Sequence, residues 1–176
     1  MGPDEALRQL MALHAAVDAA ARETEAAYAA AHGVPLRCGP GCTACCQDDL
    51  TVFEVEALRI RAVHADLLAH GAPGPVGACA FLGPEGACRV YTARPYVCRT
   101  QGLPLRWLEE DGEGGGIEYR DICPENESEE GTPLVELEPE VFWTLGSWED
   151  RLRLIQELLD GGEGRRVGLR GLFEVR

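Results

Sequence analysis

Residues 36–47 read LRCGPGCTACCQ, with four cysteines, two glycines and a proline in twelve positions. The Gly-Pro-Gly punctuation predicts a tight loop in place of a continuous helix or strand. Within so short a loop several sulfurs converge without recruiting distant segments. The spacing Cys38-x3-Cys42-x2-Cys45-Cys46 therefore predicts a thiolate metal site. Zinc takes four thiolates tetrahedrally, and iron–sulfur clusters are held by the same ligand. No histidine occurs between residues 33 and 63, so a site here is sulfur-rich. Mg²⁺ and Ca²⁺ are disfavoured because they want oxygen ligands. Adjacent Cys45 and Cys46 point differently in most backbone conformations, so they can serve different metals or different edges of one cluster.

On the N-terminal side, residues 4–32 predict one long helix. Leu7, His14, Ala21 and Tyr28 recur every seven residues, with Leu10, Met11 and Val17 alongside. Gly33 and Val34-Pro35 supply the stop. His14 lies on the apolar stripe and reads as a packed helix histidine. On the C-terminal side, Thr51 and Glu54 have capping-box spacing and predict a helix over about 51–70, ended by Gly71 and Pro73. His64 and His70 near its end suit the helix dipole.

Four further cysteines follow. Ala78–Leu82 and Ala87–Tyr91 flank Gly-Pro-Glu-Gly and predict a hairpin that brings Cys79 near Cys88. Pro95 opens a helical turn carrying Cys98. Residues 103–108 and 117–122 predict a second hairpin with a Gly-rich acidic tip at 109–116, and Cys123 follows. The stretch ENESEEG at 125–131 reads as a solvated acidic loop. A helical pattern resumes over 138–160. There Ser147 is the expected cap, and Trp148, Leu152, Ile155 and Leu159 share one face. Residues 165–176 read as a final strand or a loosely docked tail. The fold expected is mainly α with short β-hairpins. It is a small metal-stabilised cysteine-rich domain packed on helices: a single domain, 1–176, with its cysteine core at about 36–124.

Composition narrows the function. The 176 residues carry 16 Arg, no Lys and 30 acids, a net charge of −14. A chain so negative repels phosphate backbones and anionic bilayers, so neither a nucleic-acid nor a membrane partner is expected. Lysine-dependent chemistries such as Schiff bases and the P-loop are excluded. The opening MGPDEALRQL lacks the basic-then-apolar pattern of a secretion signal. The expected compartment is therefore reducing and cytoplasmic, where grouped cysteines bind metal or do redox work more often than they form disulfides. No Ser–His–Asp or Cys–His arrangement can be assigned, and the reading leans away from an enzyme. The sequence names no protein partner.

The cysteines as a set carry a resemblance. Cys42-Thr-Ala-Cys45-Cys46, then Cys79-x-Phe-Leu, Gly86-x-Cys88-x-Val-Tyr91 and Arg94-Pro95-x-x-Cys98-Arg99 are similar to the CxxCxxCC cysteine-cluster family, also called YkgJ-like. The resemblance covers roughly residues 38–124 and implies a zinc- or iron-chelating domain. The chain departs from the family name by placing three residues between Cys38 and Cys42. A second likeness does not extend beyond its spacing. Cys38-x3-Cys42-x2-Cys45 is also the radical S-adenosylmethionine spacing, but the alternating strands and helices of that barrel are missing. The expected ligands are thus Cys38, Cys42, Cys45, Cys46, Cys79, Cys88, Cys98 and Cys123. Zinc is the first choice of metal, and iron or an iron–sulfur cluster the alternative. Eight sulfurs allow two four-thiolate sites, or one site with spare thiols. The expectation is that Cys42, Cys45 and Cys46 converge with Cys88 and Cys98. Tyr91, Arg94 and Arg99 are expected around Cys98, either packing and pairing with carboxylates or supporting thiolate charge.

Overall fold

The computed structural model describes residues 1–39, 41–112 and 115–174. Pro40 in the cysteine loop, Glu113 and Gly114 in the 109–116 tip, and Val175 and Arg176 at the end lie outside the described residues. In chain order the elements are α1 (Pro3–His32), β1 (Thr51–Phe53), α2 (Glu54–Val63), α3 (Ala65–His70), α4 (Tyr96–Thr100), β2 (Leu105–Glu110), β3 (Gly116–Asp121), β4 (Trp143–Thr144), α5 (Ser147–Asp160) and β5 (Arg166–Gly168). Helices thus combine with two small sheets. One sheet pairs β1 with β5 antiparallel; the other runs β3-β2-β4, with β2–β3 antiparallel and β2–β4 parallel.

Helix α1 ends where its sequence predicts. Gly33 takes φ +87° and returns its N–H to Ala29 O, a left-handed stop suited to glycine. Its buried row is Ala6, Leu10, Leu13 and Val17, which packs with Val55 of α2, Tyr96 of α4, Trp143 of β4, and Leu152 and Ile155 of α5. Met11, expected on this stripe, is 49% exposed. The true stripe follows the 3.6-residue period through Leu13 and leaves Met11 on the outer face. A second apolar cluster gathers Val52, Ala57, Ile60, Phe81, Val90, Leu169 and Leu172. A third joins Tyr28 to Ile122, Leu137 and Phe142.

Several local expectations change. Thr51 is not a helix cap but a strand residue, paired with Gly168 of β5. The tertiary partner outweighs the local capping signal. Helix α2 begins after Phe53, whose N–H is taken by Glu56 Oε2 at 3.2 Å. The expected helix 51–70 breaks at His64, where φ is −123°, into α2 and α3. The hairpin expected over 78–91 reduces to one bridge between Leu82 and Cys88. The second hairpin forms over 105–121 with Trp107 opposite Tyr119. Gly146, not Ser147, caps α5, and its N–H reaches Glu149 Oε2 at 2.7 Å. Of the C-terminal stretch, Arg166–Gly168 form the expected final strand, and Leu169 and Leu172 are buried at 4% and 1% exposure.

Buried polar side chains fix how α1, α2 and α5 meet. Gln156 Oε1 accepts the Val55 N–H at 2.9 Å, and Gln156 Nε2 donates to Asp160 Oδ2 at 2.7 Å. The Asp160 carboxylate also takes the N–H groups of Gly162, Glu163 and Arg165. These bonds, chiefly that of Arg165, hold its pKa down to about 2. They set the turn that sends β5 back along β1. His14 of α1 accepts from Arg59 Nη1 at Nδ1, 2.7 Å away, and its Nε2 faces Glu56 Oε1 at 3.6 Å.

Burial lowers the His14 pKa below its ordinary 6.5, and Arg59 at Nδ1 requires the neutral ring. The unfolded chain therefore takes up this proton first as pH falls. The stability tied to neutral His14 is complete above pH 6.5 and is lost as pH falls through the lowered folded value. His14→Gln is expected to flatten the loss of stability between about pH 7 and about pH 5, read by urea unfolding at each pH. An unchanged slope would refute the neutral joint.

Candidate metal centre

All eight cysteines are free thiols, and only Cys38 is exposed. They lie on loops and short turns braced by the helices. In the first loop, Cys42 N–H donates to Gly39 O, Cys46 N–H to Thr43 O and Gln47 N–H to Cys45 O, all within 3.1 Å. The loop meets the second cysteine segment directly, because Cys79 N–H donates to Cys46 O at 2.9 Å. Cys46 and Cys88 pack against the same apolar cluster that includes Cys79. Cys98 sits in α4, one turn after Pro95.

A different set of contacts surrounds Cys38. Its sulfur receives Asn126 Nδ2 at 3.2 Å. Asn126 also donates to Gly102 O at 2.8 Å, accepts the Arg37 N–H at 2.8 Å and gives its own N–H to Cys123 O at 2.7 Å. Gly102 has φ +89°, and a Cβ there would lie 2.2 Å from Cys38 Sγ. Only glycine leaves the sulfur its place. The 125–131 stretch is therefore not wholly solvated: Asn126 is 5% exposed. Its acidic neighbours hid this, and only the single amide among the carboxylates hinted at a buried role.

The thiols also push one another's pKa values upward. Burial pushes the Cys38 thiol up, and among thiols Cys42, Cys123 and Cys45 push it further. Cys45 is raised by burial and then by Cys42. Burial pushes Cys46 up to about 11, with Cys45, Cys79 and Cys88 adding to it. Burial pushes Cys98 up to about 12, helped by Cys79, Cys88, Cys45 and Cys46. Cys88 is raised by burial, while Arg94 and Arg89 pull it back. Among the described residues no three His, Cys, Asp or Glu side chains already stand in a metal-coordinating arrangement. The fold brings the sulfurs into neighbourhoods without closing them on a common centre. The donors are soft and uniform, and they suit zinc or iron over hard cations.

The arginines divide. Arg99 pairs through Nη1 with Asp18 Oδ2 of α1 at 2.6 Å and holds Arg94 O through Nε, so it braces α4 on α1. Arg94 lies 4.2 Å from the Tyr91 ring centroid and also lowers the Cys88 pKa. It serves packing and thiolate charge together. Unforeseen in the sequence is a clamp beside Cys46 and Cys79. Arg170 bonds both Asp48 oxygens, at 2.9 and 2.7 Å, and the carbonyls of Gly74, Pro75 and Ala78. Asp48 in turn takes the Gly77 N–H at 2.9 Å.

A cysteine-rich loop, a bridged turn and a short helix carry soft donors on a helical support, the makings of a cysteine-rich domain. Residues 37–123 match the model of the CxxCxxCC family, described as a "putative zinc- or iron-chelating domain". The match contains all eight cysteines and leaves out α1, α5 and the Arg170 segment. No curated protein and no solved structure matches the chain. No helix among the described residues is long and apolar enough to cross a membrane.

Removing the Asn126 side chain strands the buried Gly102 carbonyl and the partly buried Arg37 N–H, a loss of about 1–3 kcal/mol. Asn126→Ala should cost that much stability in denaturant unfolding. Glu125→Ala, at an exposed neighbour, should stay within about 0.5 kcal/mol. Equal effects from the two would remove Asn126 from the framework of the Cys38 pocket.

Proposed function

We propose that this protein binds a soft metal through its cysteine thiolates, with zinc as the resident ion and a structural or metal-handling role. The observation that carries the reading is the donor set: eight free thiols, all within the chelating domain's match. Zinc stays bound without redox protection and tolerates bare four-cysteine sites. The ligands are Cys38, Cys42, Cys45, Cys46, Cys79, Cys88, Cys98 and Cys123. A reducing, cytoplasmic setting would keep these thiols available. With a net charge of −14, the partner is the metal cation and not a polyanion. The competing reading is an iron–sulfur protein, favoured by the same all-sulfur donors.

Binding exchanges protons for metal. Cys46 and Cys98, pushed up to about 11 and about 12, are protonated at neutral pH without metal and must release those protons on ligation. Metal affinity therefore rises with pH across the neutral range. The loops of residues 36–50 and 71–95 have little regular structure of their own, so a bound ion would carry part of their stability.

Metal analysis of protein prepared without air separates the two metals. Stoichiometric zinc in a colourless protein is expected; a brown protein containing iron and sulfide would replace the zinc reading with the iron one. Chelation under reducing conditions should lower the melting temperature. A ligand at a thousand times its Kd stabilises by about 4 kcal/mol, which corresponds to roughly 8–16 °C for a domain of this size. A protein that binds neither metal, with a melting curve indifferent to chelator, would refute the reading.

A further inference from the structure

We propose that the cavity between the C-terminal end of α1 and residues 122–134 binds a small organic cation, an alkylammonium or guanidinium group on a short apolar chain. The site uses none of the eight thiols and stands apart from the metal reading.

The cavity holds about 520 Å³, within the range of small-molecule sites. Tyr28, His32, Ile122 and Leu134 line one side of it, and Glu127 and Glu129 the acidic side. Its walls are bonded in place. Thr132 N–H donates to His32 O at 3.0 Å, and Thr132 Oγ1 to Ala31 O at 3.2 Å. Arg120 Nη1 holds Leu134 O and Leu137 O, and Asn126 fixes the start of the segment. The His32 ring is gripped on both faces. It stacks on Tyr28 at 4.7 Å, and a Cβ on Gly131 would lie 2.1–2.5 Å from three of its atoms.

Two polar atoms on this wall are unused. Tyr28 is 1% exposed and His32 5%, yet neither the Tyr28 hydroxyl nor His32 Nε2 has a hydrogen-bond partner among the described residues. His32 Nδ1 lies 3.2 Å from Val34 O. A carbonyl only accepts, so Nδ1 carries the hydrogen and the neutral ring presents its lone pair at Nε2. Buried polar side chains nearly always find partners. Two without one on the wall of a single cavity point to a ligand that supplies them.

The acceptors define that ligand. Nε2 and the two carboxylates take N–H donors, and the hydroxyl serves in either role. Residues 121–150 contain ten acids and no Arg, Lys or His, so the field repels an anion. Arg120, which bonds the Leu134 carbonyl, is already paired with Glu118. A bare metal ion would lack ligands, because among the described residues no three His, Cys, Asp or Glu side chains stand in a coordinating arrangement. An organic cation suits acceptors that are spread apart. Its N–H groups reach Nε2 and the carboxylates, while its methylenes cover Ile122 and Leu134.

Isothermal titration of the full chain as isolated with diaminobutane and with butylguanidine tests the proposal, with butanediol as the uncharged control. Saturable binding of at least one cation is expected, weakened by salt, with the diol bound far more weakly. Tyr28→Phe removes a hydroxyl that bonds nothing, so the melting temperature should stay that of the parent while affinity falls roughly two- to tenfold. The double variant Glu127→Gln, Glu129→Gln, at exposed positions, should lose roughly tenfold or more. On binding, nitrogen NMR of the His32 ring should show a larger shift at Nε2 than at Nδ1. Absence of saturable binding of both cations at millimolar concentration would overturn the proposal. So would a diol that binds as tightly as the diamine, or affinity unchanged in either variant, which places the cation elsewhere on this acidic chain.

Discussion

The bidentate pair between Arg170 and Asp48 ties the end of the chain to the cysteine loop. The guanidinium accepts no compromise in geometry: two N–H groups meet one carboxylate, and the others take backbone carbonyls from residues 74–78. A lysine could neither fork onto the carboxylate nor reach so many acceptors at once. Because Asp48 follows Cys46 by two residues and Ala78 precedes Cys79, one side chain sets the distance between two cysteine segments. Everything behind it serves to aim Arg170. Asp160 shapes the turn after α5, β5 pairs with β1, and Leu169 and Leu172 enter the second apolar cluster.

Helices α1 and α5 and the second hairpin were legible because their causes are local. The Gly33 stop, the apolar face of α5 and the turn between β2 and β3 each follow from residues within a few positions. So was the cysteine pattern, whose specificity comes from spacing. What escaped reading lies at long range. Thr51 has a helix-capping signature but finds Gly168 as a strand partner. Asn126 sits in a run of acids and yet holds Arg37, Cys38 and Gly102 together. Arg170 is one of sixteen arginines, with nothing in its neighbours to set it apart. Periodicity and caps report on the nearest turn of chain; they do not report on a partner many tens of residues away.

Helix α1 carries the rest of the support. It reaches α5 and α2 through the Leu10–Val17 row, α4 through Asp18 and Arg99, and the third apolar cluster through Tyr28. The His32 ring stacks on Tyr28 and lies against Gly131. The stretch that matches the chelating family is thus set on elements outside the match, which supply apolar burial that a loop-rich segment cannot provide alone.

The five thiols with resolved shifts are all pushed upward, chiefly by burial, and this bears on chemical survival. Oxidants and electrophiles attack the thiolate, not the thiol. Even Cys38, the one exposed cysteine, keeps its sulfur between Gly102 and Asn126 and above its ordinary pKa. These five thiols are therefore less readily oxidised or alkylated than thiols at the ordinary pKa. A soft cation must displace the same protons as it binds. The same burial that delays ionisation thus slows side reactions at these sulfurs.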